Sequence, residues 1–108
     1  MTACFCYVTA GSRDEALRIG RALVEERLAA CANVVDGMTS VYWWQDALEQ
    51  ADEAVLIVKT RAELVERLTT RVRELHGYDC PCVVSLPITG GNADYLAWIA
   101  AEAQPACD

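Results

Sequence analysis

Thr39-Ser40-Val41-Tyr42-Trp43-Trp44-Gln45-Asp46 sets three adjacent aromatics, two of them tryptophans, in a small acidic chain. From Leu28 to Trp44 the one charged residue is Asp36. An extended run this apolar either crosses a core or is covered by something outside its own fold. Asp36-Gly37 bends the run without ending it, and Gln45-Asp46-Ala47 turns the chain back. Ala54-Val55-Leu56-Ile57-Val58 follows, apolar on both faces as a central strand is.

The other elements come from punctuation and period. Cys4 to Ala10 reads as a first buried strand. Ser12-Arg13-Asp14-Glu15 has the form of a capping box, and Ala16, Ile19 and Leu23 with Leu17, Val24 and Leu28 give the helix an inward stripe that Gly20 joins. Thr60-Arg61-Ala62-Glu63 repeats the box before a second helix carrying Leu64, Val65, Leu68, Val72 and Leu75, stopped by Gly77 in a left-handed position. Cys82 to Ile88 is the fourth strand, with Pro87 marking an edge. Asn92 caps a last helix through Tyr95, Leu96, Trp98 and Ile99.

The order β-α-β-β-α-β-α in one domain over 1–108 predicts an α+β, ferredoxin-like β-α-β-β-α-β sandwich with an additional C-terminal helix. Its sheet is antiparallel in the order 4-1-3-2, helices cover one face, and the second and third strands form an extended hairpin. The aromatic strand is then an edge, which invites aggregation unless another copy of the chain pairs with it. A chain of 108 residues has one core, yet 54% of it is hydrophobic, against the usual ~45–50%. That excess favours oligomerisation.

The net charge of −7 argues against nucleic acid, whose partners carry a basic stripe. No run has the apolar length of a membrane span, and the first residues lack the positive start of a signal peptide. A cytoplasmic place is therefore expected, with Cys4, Cys6, Cys31, Cys80, Cys82 and Cys107 as reduced thiols.

Glu26-Arg27-Leu28-Ala29-Ala30-Cys31-Ala32-Asn33, Thr39 to Trp44, Lys59-Thr60-Arg61, His76-Gly77-Tyr78, Pro81, Leu86-Pro87-Ile88 and Tyr95-Leu96-Ala97-Trp98-Ile99 together resemble the CutA family of divalent-cation tolerance proteins. The resemblance covers nearly the whole chain. It implies a homotrimer whose long hairpins run onto neighbouring subunits, and an association with tolerance of copper and other divalent ions. Two positions depart from the family's habit. Cys82 stands where a Glu is common, and Gln45-Asp46 stands where many members have Glu-Gly.

Several residues could carry chemistry. His76, Cys80 and Cys82 fall within seven residues, and thiolate with imidazole suits Cu(I) or Zn. The alternative is a helix-terminal histidine beside two small cysteines, since three ligands without zinc-ribbon spacing make a thin pattern. Lys59, at the end of a central strand, is either a desolvated amine or a lysine reaching out of the sheet. Cys31 would need a base to act as a nucleophile and otherwise is structural. With Tyr95 and Trp98 these two are expected to line a cleft, while Tyr42, Trp43 and Trp44 are expected at the trimer interface. No nucleophile-base-acid trio or phosphate loop is present, so no enzyme activity and no obligatory cofactor are expected. The leading function is a trimeric, metal-binding or metal-responsive protein with a copper or other divalent ion as ligand. The alternative, by analogy of fold, is a small-molecule-sensing trimer like the PII-type regulators.

Overall fold

Alternation sets the first strand. In the computed structural model, which describes residues 2–106, β1 (Ala3–Ala10) buries Cys4, Cys6, Val8 and Ala10 and turns the residues between them to the other face. It lies between β3 (Ala47–Arg61) and β4 (Val83–Pro87), and β2 (Cys31–Trp44) completes the order β2-β3-β1-β4. Every pairing is antiparallel. This is the expected ferredoxin-like sheet. β4 is shorter than expected, with Cys82 and Ile88 outside it and Pro87 at its end on the sheet edge.

The helix α1 (Arg13–Glu25) begins as its sequence dictates. Ser12 Oγ accepts the Glu15 N–H at 3.1 Å, satisfying a donor that the helix start leaves free. The Glu15 carboxylate works elsewhere, accepting Gly11 N–H at 2.9 Å and Gly77 N–H at 3.0 Å. Ala16, Ile19, Gly20 and Leu23 face the sheet. Leu17 does not, because it lies one residue round the helix from Ala16 and is exposed. Gly20 is required by contact: a Cβ there would meet Leu56 Cδ1 at 2.8 Å and Ala32 Cβ at 3.1 Å.

The end of α1 was not foreseen. Arg27 takes φ 59°, a left-handed cap usually given to glycine. The Arg27 and Leu28 N–H groups bond back to Val24 and Leu23 carbonyls, both at 3.0 Å, in a Schellman arrangement. This drops Leu28 into the core. Arg27 itself is tied to Glu102 at 2.8 Å.

The second capping box does not form. Thr60 stays in β3, fully buried, where its Oγ1 donates to the Leu28 carbonyl at 2.7 Å. That bond, together with the ladder to Cys4, holds the strand to Arg61. A 3-10 turn (Ala62–Leu64) then leads into α2 (Val65–Leu75) with no side-chain cap. Gly77 also differs from expectation. α2 stops at His76 in extended geometry, and Gly77 is not left-handed. What favours glycine is space, since a Cβ would lie 2.9 Å from Glu15 Oε2.

Leu68 and Val72 of α2 join Ile19 and Leu23 of α1 over Cys6, Val8, Leu56 and Val58. The third helix, α3 (Ala93–Glu102), is capped by Asn92, whose Oδ1 accepts Asp94 N–H at 3.0 Å. It reaches the sheet through Lys59 and Arg61, which alternate with the core-facing Val58 and Thr60. The helices therefore do not all share one face.

β1 pairs with β3 no further out than Ala54. Beyond it, β2 and β3 continue as a two-stranded arm. A bulge between Val35 and Met38, with Gly37 at φ 80°, bends the arm as expected. Gln45 and Asp46, at φ 49° and 64°, turn it without glycine, the mirror-type turn that matches hairpin twist.

Candidate functional site

The arm and the sheet end border an open cleft of about 540 Å³ lined by Thr9, Ser40, Val41, Tyr42, Trp44, Glu53, Tyr78, Asp79, Cys80 and Cys82. Four parts of the chain converge here. β1 supplies Thr9, the arm supplies Ser40, Val41, Tyr42 and Trp44, β3 supplies Glu53 just before its apolar run, and the segment after α2 supplies Tyr78, Asp79, Cys80 and Cys82. That segment is placed by His76. Its Nε2 meets the Thr9 carbonyl at 2.7 Å and its Nδ1 meets the Tyr78 backbone N–H at 3.1 Å. A carbonyl can only accept and an amide N–H only donates, so the proton sits on Nε2. The His76 and Tyr78 rings stand 4.6 Å apart, and Tyr78 Oη donates to Glu53 Oε2 at 2.8 Å. Burial, then the bond to Glu53 and its charge, hold the Tyr78 phenol well above its ordinary range. Tyr78 is thus a donor to that carboxylate at neutral pH.

His76, Cys80 and Cys82 are not gathered as three donors. Both His76 nitrogens are occupied within the chain, while Cys80 and Cys82 line the cleft. Among the described residues no three His, Cys, Asp or Glu side chains form a group that could hold a metal ion. The five described cysteines are free thiols, and Cys107 lies outside the described residues. Cys4 and Cys6 face the core rather than the cleft. Burial, with the neighbouring Cys4, pushes the Cys6 thiol up to about 12, and burial with the charge of Glu63 raises Cys4. Neither is a reactive thiolate.

Cys31, Lys59, Tyr95 and Trp98 do come together, in a separate place. Cys31 pairs with Lys59 across β2 and β3. Lys59 Nζ donates to Tyr95 Oη at 3.2 Å and lies 5.5 Å from the centre of the same ring. Tyr95 and Trp98 stack at 5.5 Å. Lys59 is six residues along β3 from Glu53, about 20 Å at the rise of a strand. The lysine is half-buried with its ammonium turned to a phenol, between the two alternatives its sequence position left open.

The hairpin aromatics divide. Tyr42 and Trp44 alternate onto the cleft side, and Trp43, 73% exposed, points away with Leu48 opposite it at 61%. Sequence reasoning missed Glu53 and Asp79 as site residues. The available signal was a carboxylate at the threshold of an apolar strand.

A ferredoxin-like α+β domain with an arm of paired strands bordering an aromatic, carboxylate- and thiol-lined cleft defines the class of the molecule. The family model for the CutA1 divalent ion tolerance protein matches residues 4–102. The chain belongs to this family. It is 47% identical over 92 residues to the divalent-cation tolerance protein CutA of Thermus thermophilus, covering 85% of this chain and 89% of that one. It is 44% identical over 93 residues to a chloroplastic CutA 1 of rice, covering 86% of this chain but 52% of the rice protein. The chain thus spans about half the length of the plant relatives it matches. The structure of the Thermus thermophilus protein superposes with a TM-score of 0.90 at 43% identity, covering 93% of this chain and 97% of that chain. That of Archaeoglobus fulgidus, described as periplasmic, gives 0.91 at 38%, covering 94% and 99%. Since relatives are named chloroplastic and periplasmic, membership assigns no single compartment.

Proposed function

We propose that the chain acts as a homotrimeric binding protein, not an enzyme, in the response to divalent metal ions for which its family is named. The observation that carries this reading is the hairpin arm. Trp43 and Leu48 are exposed on a strand pair that no other described element covers, and closed pairing between copies is what such an edge requires. Soft ions would meet Cys80 and Cys82 in the cleft, where Cys82 takes a position the family commonly fills with Glu. His76 is left out of the donor set, because each of its ring nitrogens already makes a hydrogen bond that ligation at that nitrogen would displace. Binding weakens as pH falls, because protons compete for the thiolates.

The test is titration of reduced protein with Cu(I) and Zn. Affinity falls in Cys80→Ser and Cys82→Ser while the assembly is unchanged. Equal affinity in wild type and the double cysteine variant removes the thiols from the account. The second reading, a trimeric small-molecule-sensing module, is favoured by the cleft's volume and aromatic walls, which a bare ion does not need.

A further inference from the structure

The cleft contains an arrangement that a soft metal ion does not use. Glu53 is 8% exposed. One of its oxygens, Oε2, accepts from Tyr78, and no other hydrogen bond reaches the carboxylate among the described residues. No fully buried side-chain oxygen lacks a partner among the described residues, so Oε1 keeps some exposure, and Glu53 lines the cleft. A carboxylate taken mostly out of water and half satisfied favours a cationic donor. Asp79 adds a second carboxylate, and no lysine or arginine lines the cleft to neutralise either. Tyr42, Trp44 and Tyr78 supply an aromatic part of the wall, beside Thr9, Ser40, Val41, Cys80 and Cys82. Their ring faces attract a positive charge and cover an apolar body. A neutral guest would leave Glu53 without a counter-charge, and an anion would be repelled by it.

We propose that this cleft binds a small organic ammonium cation, its N–H directed at Glu53 Oε1 and its apolar part held among Tyr42, Trp44 and Tyr78. The proposal rests on the reading of the cleft as a small-molecule site and adds the class of ligand. It divides the hairpin's labour between its faces: Tyr42 and Trp44 serve the cleft, Trp43 and Leu48 serve assembly.

Isothermal titration of reduced protein in the presence of a chelator tests it, with 2-phenylethylamine as the cation and 2-phenylethanol as its neutral counterpart. The amine binds about tenfold or more tightly than the alcohol. Glu53→Gln abolishes that preference while light scattering shows the assembly unaltered, whereas Cys80→Ser and Cys82→Ser keep it. Equal affinity for the two probes in wild type overturns the ligand class and leaves the cleft a binding site. Failure of both to bind overturns the small-molecule reading along with the proposal. Should Glu53→Gln not fold, the wild-type pair of titrations decides alone.

Discussion

One strand, β3, lives in two environments. From Val55 to Lys59 it is paired with both β1 and β2, and Leu56, Val58 and the adjoining Thr60 are fully buried. From Ala47 to Asp52 it has β2 alone, and Leu48 stands out in solvent beside Trp43. The chain covers the inner half with its own helices and leaves the outer half, where Leu48 stands among Glu49, Gln50 and Asp52, to its pairing with the aromatic end of β2. Topology sets the division, because β1 ends at Ala10, opposite Ala54.

Substitutions on the two halves should therefore report on different processes. Trp43→Asp has the largest expected effect, placing an unpaired charge where the proposed trimer would bury the arm. Light scattering should show loss of the trimer while far-ultraviolet circular dichroism keeps the helical signal. Leu56→Ala, on the inner half, should cost about 2–5 kcal/mol, seen in denaturant unfolding. A charge on the arm that left the assembly whole would erase the contrast.

Smaller substitutions sharpen it. Thr60→Val keeps shape but deprives the Leu28 carbonyl of its donor, at about 1–3 kcal/mol. Ser12→Ala should cost about 1 kcal/mol by freeing the Glu15 N–H, measured on dissociated subunits. The least is expected of acid. Burial raises the Glu15 pKa, but the N–H groups of Gly11 and Gly77, with His76 and Arg18 nearby, outweigh it, leaving a net shift below the ordinary 4.5. A depressed carboxylate stabilises the fold above its unfolded value, and that contribution disappears as pH falls through the folded one. Unfolding followed from pH 6 downward should show this loss below about 4.5, and Glu15→Gln should flatten it.

What the sequence disclosed follows from what its signals encode. Period and punctuation describe single elements, so the strand order, the bulge at Asp36-Gly37, the turn at Gln45-Asp46 and the caps at Ser12 and Asn92 were all legible. Thr60 has the local form of a cap, yet a carbonyl 32 residues away claims its hydroxyl. Gly77 resembles a left-handed stop, yet its constraint is a glutamate on another helix. The cleft was hidden for the same reason. Glu53 and Tyr78 lie 25 residues apart and meet only after both crossovers close, while His76, grouped with Cys80 and Cys82 by proximity in sequence, is committed to Thr9. Chain neighbours suggested one site and the fold assembled another.

The central claim is that the arm is an assembly element. Multi-angle light scattering of the reduced wild-type protein across micromolar concentrations tests it most directly. The account predicts one species of three chains that persists on dilution, and a monodisperse monomer over the same range would contradict it.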